Sequence, residues 1–315
     1  MRTQDAAIVS KLLTNVSNGY FPAMDDFIAE KILPPVYVAQ TTGLVGKYTN
    51  NHLRIVNTVH KGKGDYQMLE SITTSSDSYN IEDHGLFDII TENDLRNFET
   101  PFDAEADTTM ALTMAQLLAK EYGLATSLKS TAVITQNTTL TGNAQYNNLS
   151  HADSKPLENK IVADNAVRDA VGRKPNTLIA GEKVIDSLRF HTSLMDNLGF
   201  KFARAGGMTN EELARALNID NVLVGKAMYN SAKEGQTDSL VNIWGNDLIY
   251  AYIAPAALRQ KTLGFEFRKS GTQPRQVYKY SPTMPINSRG VIVTDNYDQN
   301  LLNVNCAYLI KDAIA

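Results

Sequence analysis

The chain has one cysteine, Cys306, and one tryptophan, Trp244. A lone cysteine forms no intrachain disulfide and supports no thiolate metal cluster. Cys306 lies in the apolar run LLNVNCAYLI, where an inert buried thiol is expected rather than a nucleophile. No run of Lys and Arg exceeds two residues, and a formal net charge of −4 leaves no basic stripe for duplex phosphates. No apolar run approaches membrane-spanning length and no secretory core follows Met1, so no membrane partner is expected. These absences fit a protein made in a reducing cytoplasm.

Catalytic motifs are also missing. The five histidines, His52, His60, His84, His151 and His191, make no His-x-x-x-His or His-Glu-x-x-His spacing, so no metal is expected. GLVGKYT has two residues between Gly43 and Gly46 and Tyr48 after Lys47, whereas a phosphate-binding loop needs four residues and Ser or Thr. There is no Gly-x-Ser-x-Gly elbow. Asp103 and Asp107 are accounted for by helix capping and the helix dipole. Arg168, Arg173 and Lys174 read as a solvated helix end rather than a phosphate grip. Trp244 therefore has no catalytic company in the sequence. It is expected as a core or interface aromatic, and no cofactor is implied.

What is present is architecture. With 43% apolar and 20% charged residues, the chain has the composition of a folded protein with a sizeable core. Residues 1–46 form an arm: helix-like spacing in DAAIVSKLLTNV, then FIAEKILPPVYVAQ, where Pro34 and Pro35 stop any helix. Residues 47–85 read as a long, mostly polar β-hairpin with its tip at Lys61, Gly62, Lys63 and Gly64. A two-stranded ribbon of this kind is marginal alone in water and must lie on another surface.

Residues 86–156 hold the longest helix. A capping-box-like start at Thr100 and Asp103, with Pro101 at the first helical position, leads into an apolar stripe of Leu112, Ala115, Leu118, Ala119 and Tyr122. Residues 157–265 alternate helix and strand as an α+β domain. They include one helix over EKVIDSLRFHTSLMDNL, a helix opened by the capping box Thr209-x-x-Glu212, and strands DNVLVGKAMYN, LVNIWGNDLIYAYI and GFEFRK. Residues 266–315 supply three closing strands.

This order of parts resembles the major capsid proteins of tailed bacteriophages, which have the Hong Kong 97-type capsid fold. Seven local stretches carry the resemblance: KILPPVYV (31–38), LTGNAQYNN (140–148), GRKPNTLIAGEKVIDSLRFH (172–191), IDNVLVGKAMYNSAKEG (219–235), IWGNDLIYAYI (243–253), LGFEFR (263–268) and CAYLIKDAI (306–314). The resemblance implies an α+β fold with an N-terminal arm, an E-loop hairpin, a peripheral domain built on a spine helix, and an axial domain. It implies a non-enzymatic shell subunit that assembles with itself as hexamers and pentamers into an icosahedral container for double-stranded DNA, without sequence-specific binding.

Contacts between subunits are then expected at the hairpin tip, Lys61 to Gly64, and in the arm at Phe21, Leu33 and Val36. Near-neutral charge suits a wall that must not trap its genome. The short stretch before the arm suggests a separate scaffold protein or a processed start; portal and decoration proteins are further expected partners. The implied location is the virion capsid, assembled in the bacterial cytoplasm. No crosslinking acceptor is identifiable for Lys61 or Lys63. Two rival readings are an encapsulin-like compartment and a soluble α+β enzyme binding a small molecule near Trp244.

Overall fold

The computed structural model describes residues 8–19, 27–47, 50, 55, 58–59, 75–97, 103–199, 207–233, 235–254, 261–271, 273–282 and 288–315. The N-terminal segment contributes β1 (Ile8–Val9), α1 (Lys11–Gly19), a single turn α2 (Ala29–Ile32) and β2 (Pro35–Val38). Pro35 opens β2, an edge strand, where a missing N–H removes no ladder bond from the sheet interior. Strands β3 (Thr42–Lys47) and β4 (Ser75–Asn80) pair antiparallel as the root of the hairpin, which therefore begins at Thr42 rather than residue 47. The expected tip, Lys61 to Gly64, lies outside the described residues, and so does Phe21.

Strand β5 (Glu82–Ile90) and helix α3 (Glu92–Asn97) follow, then α4 (Ala104–Leu128), the long helix. Its N-cap is Asp103, whose carboxylate accepts from the N–H groups of Glu105 and Ala106; Thr100 and Pro101 fall outside the described residues. At 1.5 Å per residue its 25 residues make a rod of about 37 Å. The apolar stripe anticipated for it is not the face it buries. Ala115, Ala119 and Tyr122 are exposed, while Thr109, Thr113, Gln116, Lys120, Glu121, Leu124 and Leu128 point inward. The cause is the partner surface, which is charged beneath the middle of the helix.

Then come β6 (Asn137–Thr139), α5 (Pro156–Val171), β7 (Thr177–Gly181), α6 (Glu182–Arg189), α7 (Thr192–Asn197), α8 (Asn210–Leu217), β8 (Asn221–Gly225), β9 (Met228–Asn230), β10 (Leu240–Asn242) and β11 (Leu248–Ala251). Strands β12 (Phe265–Lys269), β13 (Arg275–Tyr280), β14 (Arg289–Asn300) and β15 (Ala307–Lys311) complete the order. The single helix read over 182–198 is two, because buried His191 takes extended backbone, φ −71° and ψ 124°, at the start of α7 and turns the chain there. The capping box at Thr209 and Glu212 is present in both directions. Trp244 was read as mid-strand. It instead sits in the tight turn between β10 and β11, where Gly245 takes φ +59°, a left-handed conformation that favours glycine.

Two sheets organise the molecule. In the first, the order is β1-β13-β14-β12-β2, with β5 also paired to β14. The arm strand β2 runs parallel to β12 of its own chain, from Pro35 opposite Glu266 to Val38 opposite Lys269. The second sheet has the order β6-β15-β11-β7-β8, so the last strand of the chain is inserted next to the centre. Strands β7 and β11 are buried throughout, as expected for strands covered on both faces.

One face of the second sheet packs Leu178, Ala180, Leu248, Tyr250 and Ile310 against α5 to α8. The other packs Ile179, Ile249 and Leu309 against the end of α4 and against Ile28, Ile32 and Leu33. Leu33 is 0% exposed and Val36 9%. Both were expected at a subunit contact; the chain's own core takes them up instead, because β2 is a strand of the first sheet. Burying side chains of this size stabilises the fold by about 1.5–3 kcal/mol each.

Candidate functional site

The most concentrated chemistry in the described residues lies where α4 crosses the first sheet. Alternation along β12 sends Phe265 and Phe267 to one face and Glu266 and Arg268 to the other, beneath α4. Lys120 reaches down from the helix. Its Nζ lies 2.8 Å from Glu266 and 2.7 Å from Glu30, the rim residue of α2. Arg268 joins the same groups: Nε to Glu266 at 2.6 Å, Nη1 to Asp295 of β14 at 2.9 Å, and Nη2 to Glu30 at 3.2 Å. The Lys120 ammonium also stands 5.0 Å from the Tyr297 ring centroid.

Glu266 is fully buried, and Lys120, Arg268 and Asp295 nearly so. Burial alone would raise the Glu30 carboxyl and lower the Arg268 guanidinium. Opposite charges outweigh it in each case, so Glu30 sits below its ordinary value and Arg268 above. The cluster joins arm, long helix, β12 and β14 with charge-assisted bonds.

One residue further along α4, Glu121 serves a second joint. Its carboxylate accepts from Nε1 of Trp244 at 2.6 Å and from the backbone N–H of Ala29 at 2.8 Å and Ile28 at 3.2 Å. Burial holds its carboxyl above the usual value despite these donors. The Trp244 ring, 1% exposed, lies on Gly225, where a Cβ would come 2.0 Å from Cδ1. Trp244 thus ties the β10–β11 turn, the end of β8 and the arm to the long helix. It lines none of the described clefts.

The other candidate groups are held structurally. His191, 1% exposed, has Nε2 3.0 Å from Ser154 Oγ and Nδ1 2.9 Å from Ser193 Oγ, and burial lowers its pKa. Burial pushes the Cys306 thiol up to about 12. Arg168 is solvated beside Asp169, and Arg173 lies over the Tyr252 ring. The three histidines in described segments do not converge, and no group of three metal-ligating side chains occurs among the described residues. No helix in the described residues is long and apolar enough to cross a membrane. Sequence reasoning missed Lys120, Glu121, Glu266 and Arg268 as a set. The available signal was a charged pair, Lys120 and Glu121, between the apolar stretches of the helix's second half.

An arm stapled to a two-sheet body, a two-stranded hairpin root and one helix bridging both sheets together make the Hong Kong 97-type capsid fold. Over 98% of each chain, a phage-related protein of Bordetella bronchiseptica RB50 superposes with a TM-score of 0.71 at 23% identity. A chain of the capsid structure of cyanophage P-SCSP1u superposes over 90% of this chain and 88% of its own, with a TM-score of 0.60 at 10% identity. No family model matches the chain. In sequence it is a relative of phage major capsid proteins: it is 26% identical over 325 aligned positions to the major capsid protein of Burkholderia phage BcepMu, covering 98% of both.

Proposed function

We infer that this chain is the major capsid subunit of a tailed phage, a structural protein whose copies close into the virion shell. The observation that carries the reading is similarity to a phage major capsid protein from end to end, on a fold of matching type. The proposed assembly uses hexamers and pentamers around double-stranded DNA that is enclosed without sequence readout. It forms in the bacterial cytoplasm, with separate scaffold, portal and decoration proteins. The hairpin rooted in β3 and β4 is the E-loop, its far end laid across a neighbour. The first sheet with α4 serves as the peripheral domain, and the second sheet as the axial domain.

An encapsulin of Synechococcus elongatus PCC 7942 has the same fold at a TM-score of 0.51 and 10% identity, so fold alone does not separate the two kinds of container. The full-length sequence relationship favours the phage shell. Imaging by negative stain, alone and with the product of any neighbouring scaffold gene, tests the reading together with mass spectrometry of the particles. Closed shells without stoichiometric protein cargo are expected, and deletion of 58–66 should leave a folded chain that makes none. A small discrete oligomer under every condition would overturn the assignment.

A further inference from the structure

The second sheet ends at β8, whose one ladder among the described residues is its parallel pairing with β7. The N–H of Asn221 turns toward β7 and donates to the Asn176 carbonyl at 3.0 Å. In a parallel ladder alternate residues bond to the same side, so Leu223 and Gly225 follow Asn221 inward. Val222 and Val224 are left with N–H and C=O directed away from the sheet. Among the described residues no backbone or side-chain group takes them up.

This edge is the floor of a groove. Gly181 stands opposite Gly225, so α6 starts beside the end of β8, and its eight residues run back along the strand for about 12 Å. Arg189 at the end of α6, Asn210 at the start of α8, and Ile28 and Lys31 of the arm wall the groove, together with Glu182 and Lys226. Its charge has one prevailing sign, with Lys31, Arg189 and Lys226 against the single carboxylate of Glu182. Lys226 is exposed and has no anionic partner among the described residues. Arg189 gives Nη1 to Asp186 and Nη2 to Asn210, while its Nε is shielded from water and has no acceptor among the described residues. The N-terminus of α6 carries no side-chain cap, so the positive end of its dipole adds to the field.

Val222 and Val224 pack on the α6 side of the sheet, and alternation continues that row to Lys226. Arg189 is thus level with the start of the strand and Lys226 with its end, about four residues or roughly 13 Å apart along an extended chain. We propose that the β8 edge receives an extended acidic segment of a different protein, which adds a sixth strand to the five-stranded sheet and sets carboxylates at positions i and i+4 against Arg189 and Lys226. Backbone pairing supplies affinity and the two cations supply register, as in strand-addition recognition of peptides. Charge complementarity selects the occupant, because the cationic walls disfavour a neutral or basic strand. The groove is complete within one subunit, so the inference stands apart from the shell reading.

The probe is fluorescein-labelled Thr-Glu-Val-Thr-Val-Glu-Val-Thr, titrated with the full-length unassembled chain and read by anisotropy. Changing both Glu residues of the peptide to Gln should weaken binding about tenfold or more, the worth of a bond between charged groups. N-methylating the two central residues should do the same, since one of their N–H groups must face β8. Lys226→Glu should melt as wild type, bind the probe more weakly by a similar factor, and regain binding when one Glu of the peptide is changed to Lys. Equal binding of the Gln or the methylated peptide overturns the proposal, as does a wild-type chain that binds no probe. Self-association abolished by Lys226→Glu, with no probe bound, would give the groove to a second copy and overturn it equally.

Discussion

Oε1 of Glu121 accepts a 2.6 Å hydrogen bond from Nε1 of Trp244, and the same carboxylate takes the N–H groups of Ile28 and Ala29. Sequence-distant parts of the chain therefore meet on one buried side chain. Trp244→Phe keeps one aromatic ring but removes the donor, along with part of the buried indole's volume. The expected cost is about 1.5–3 kcal/mol, as for a lost bond to a charged group. Urea denaturation followed by circular dichroism measures it, and an unchanged midpoint would deny the clamp any energetic role.

Lys120→Met should be more damaging. It leaves Glu266, fully buried, with Arg268 as its remaining cationic partner. Removing one member of a buried ion cluster costs about 3–5 kcal/mol, because an uncompensated charge stays behind. The same denaturation series reads it. A loss comparable to that at exposed Lys155, paired with Glu158 at the surface, would show that water reaches the cluster.

Gly225→Ala tests packing without touching charge. The new methyl would fall 2.0 Å from Cδ1 of Trp244, so the indole or the β8 end must move. About 1–3 kcal/mol of overpacking is expected. Since Trp244 is the single tryptophan, its emission should shift to the red as the ring is displaced toward solvent. Unaltered emission and stability together would contradict the described contact.

His191 gives a pH dependence with a defined sign. Burial puts its folded pKa below the ordinary 6.5. A depressed folded value means the neutral ring contributes stability fully above pH 6.5, and that contribution is lost as pH falls through the lower folded value. His191→Gln should lower stability at neutral pH and flatten the decline on the acid side of 6.5, seen in thermal melts across pH. A wild-type curve with no decline there would refute the assignment.

Much of the fold was legible because local signals agreed with it. The Thr209 to Glu212 capping box, the strand over GFEFRK and the stop at Pro34 and Pro35 all became the elements they indicate. Leu33 and Val36 misled because an apolar arm segment reads alike whether its cover is a neighbour or its own parallel strand β12; only register separates the two. Strand β5 was missed since Glu82 to Ile90 is exposed along most of its length and shows no clean alternation. The α4 face was misassigned because hydrophobic periodicity presumes an apolar partner surface. Here the sheet offers Glu266, Arg268 and Asp295, and the inward stripe follows them. Pairing between residues more than a hundred positions apart leaves no local trace.

The long helix rests on ion pairs near Lys120 and on hydrocarbon at Leu124 and Leu128. Those two footings answer temperature differently. Apolar association weakens on cooling, whereas charged groups leave water more cheaply on heating. Chilling should therefore loosen the helix where it meets the second sheet before it loosens over the first, so that cold alone biases which half of the subunit gives way.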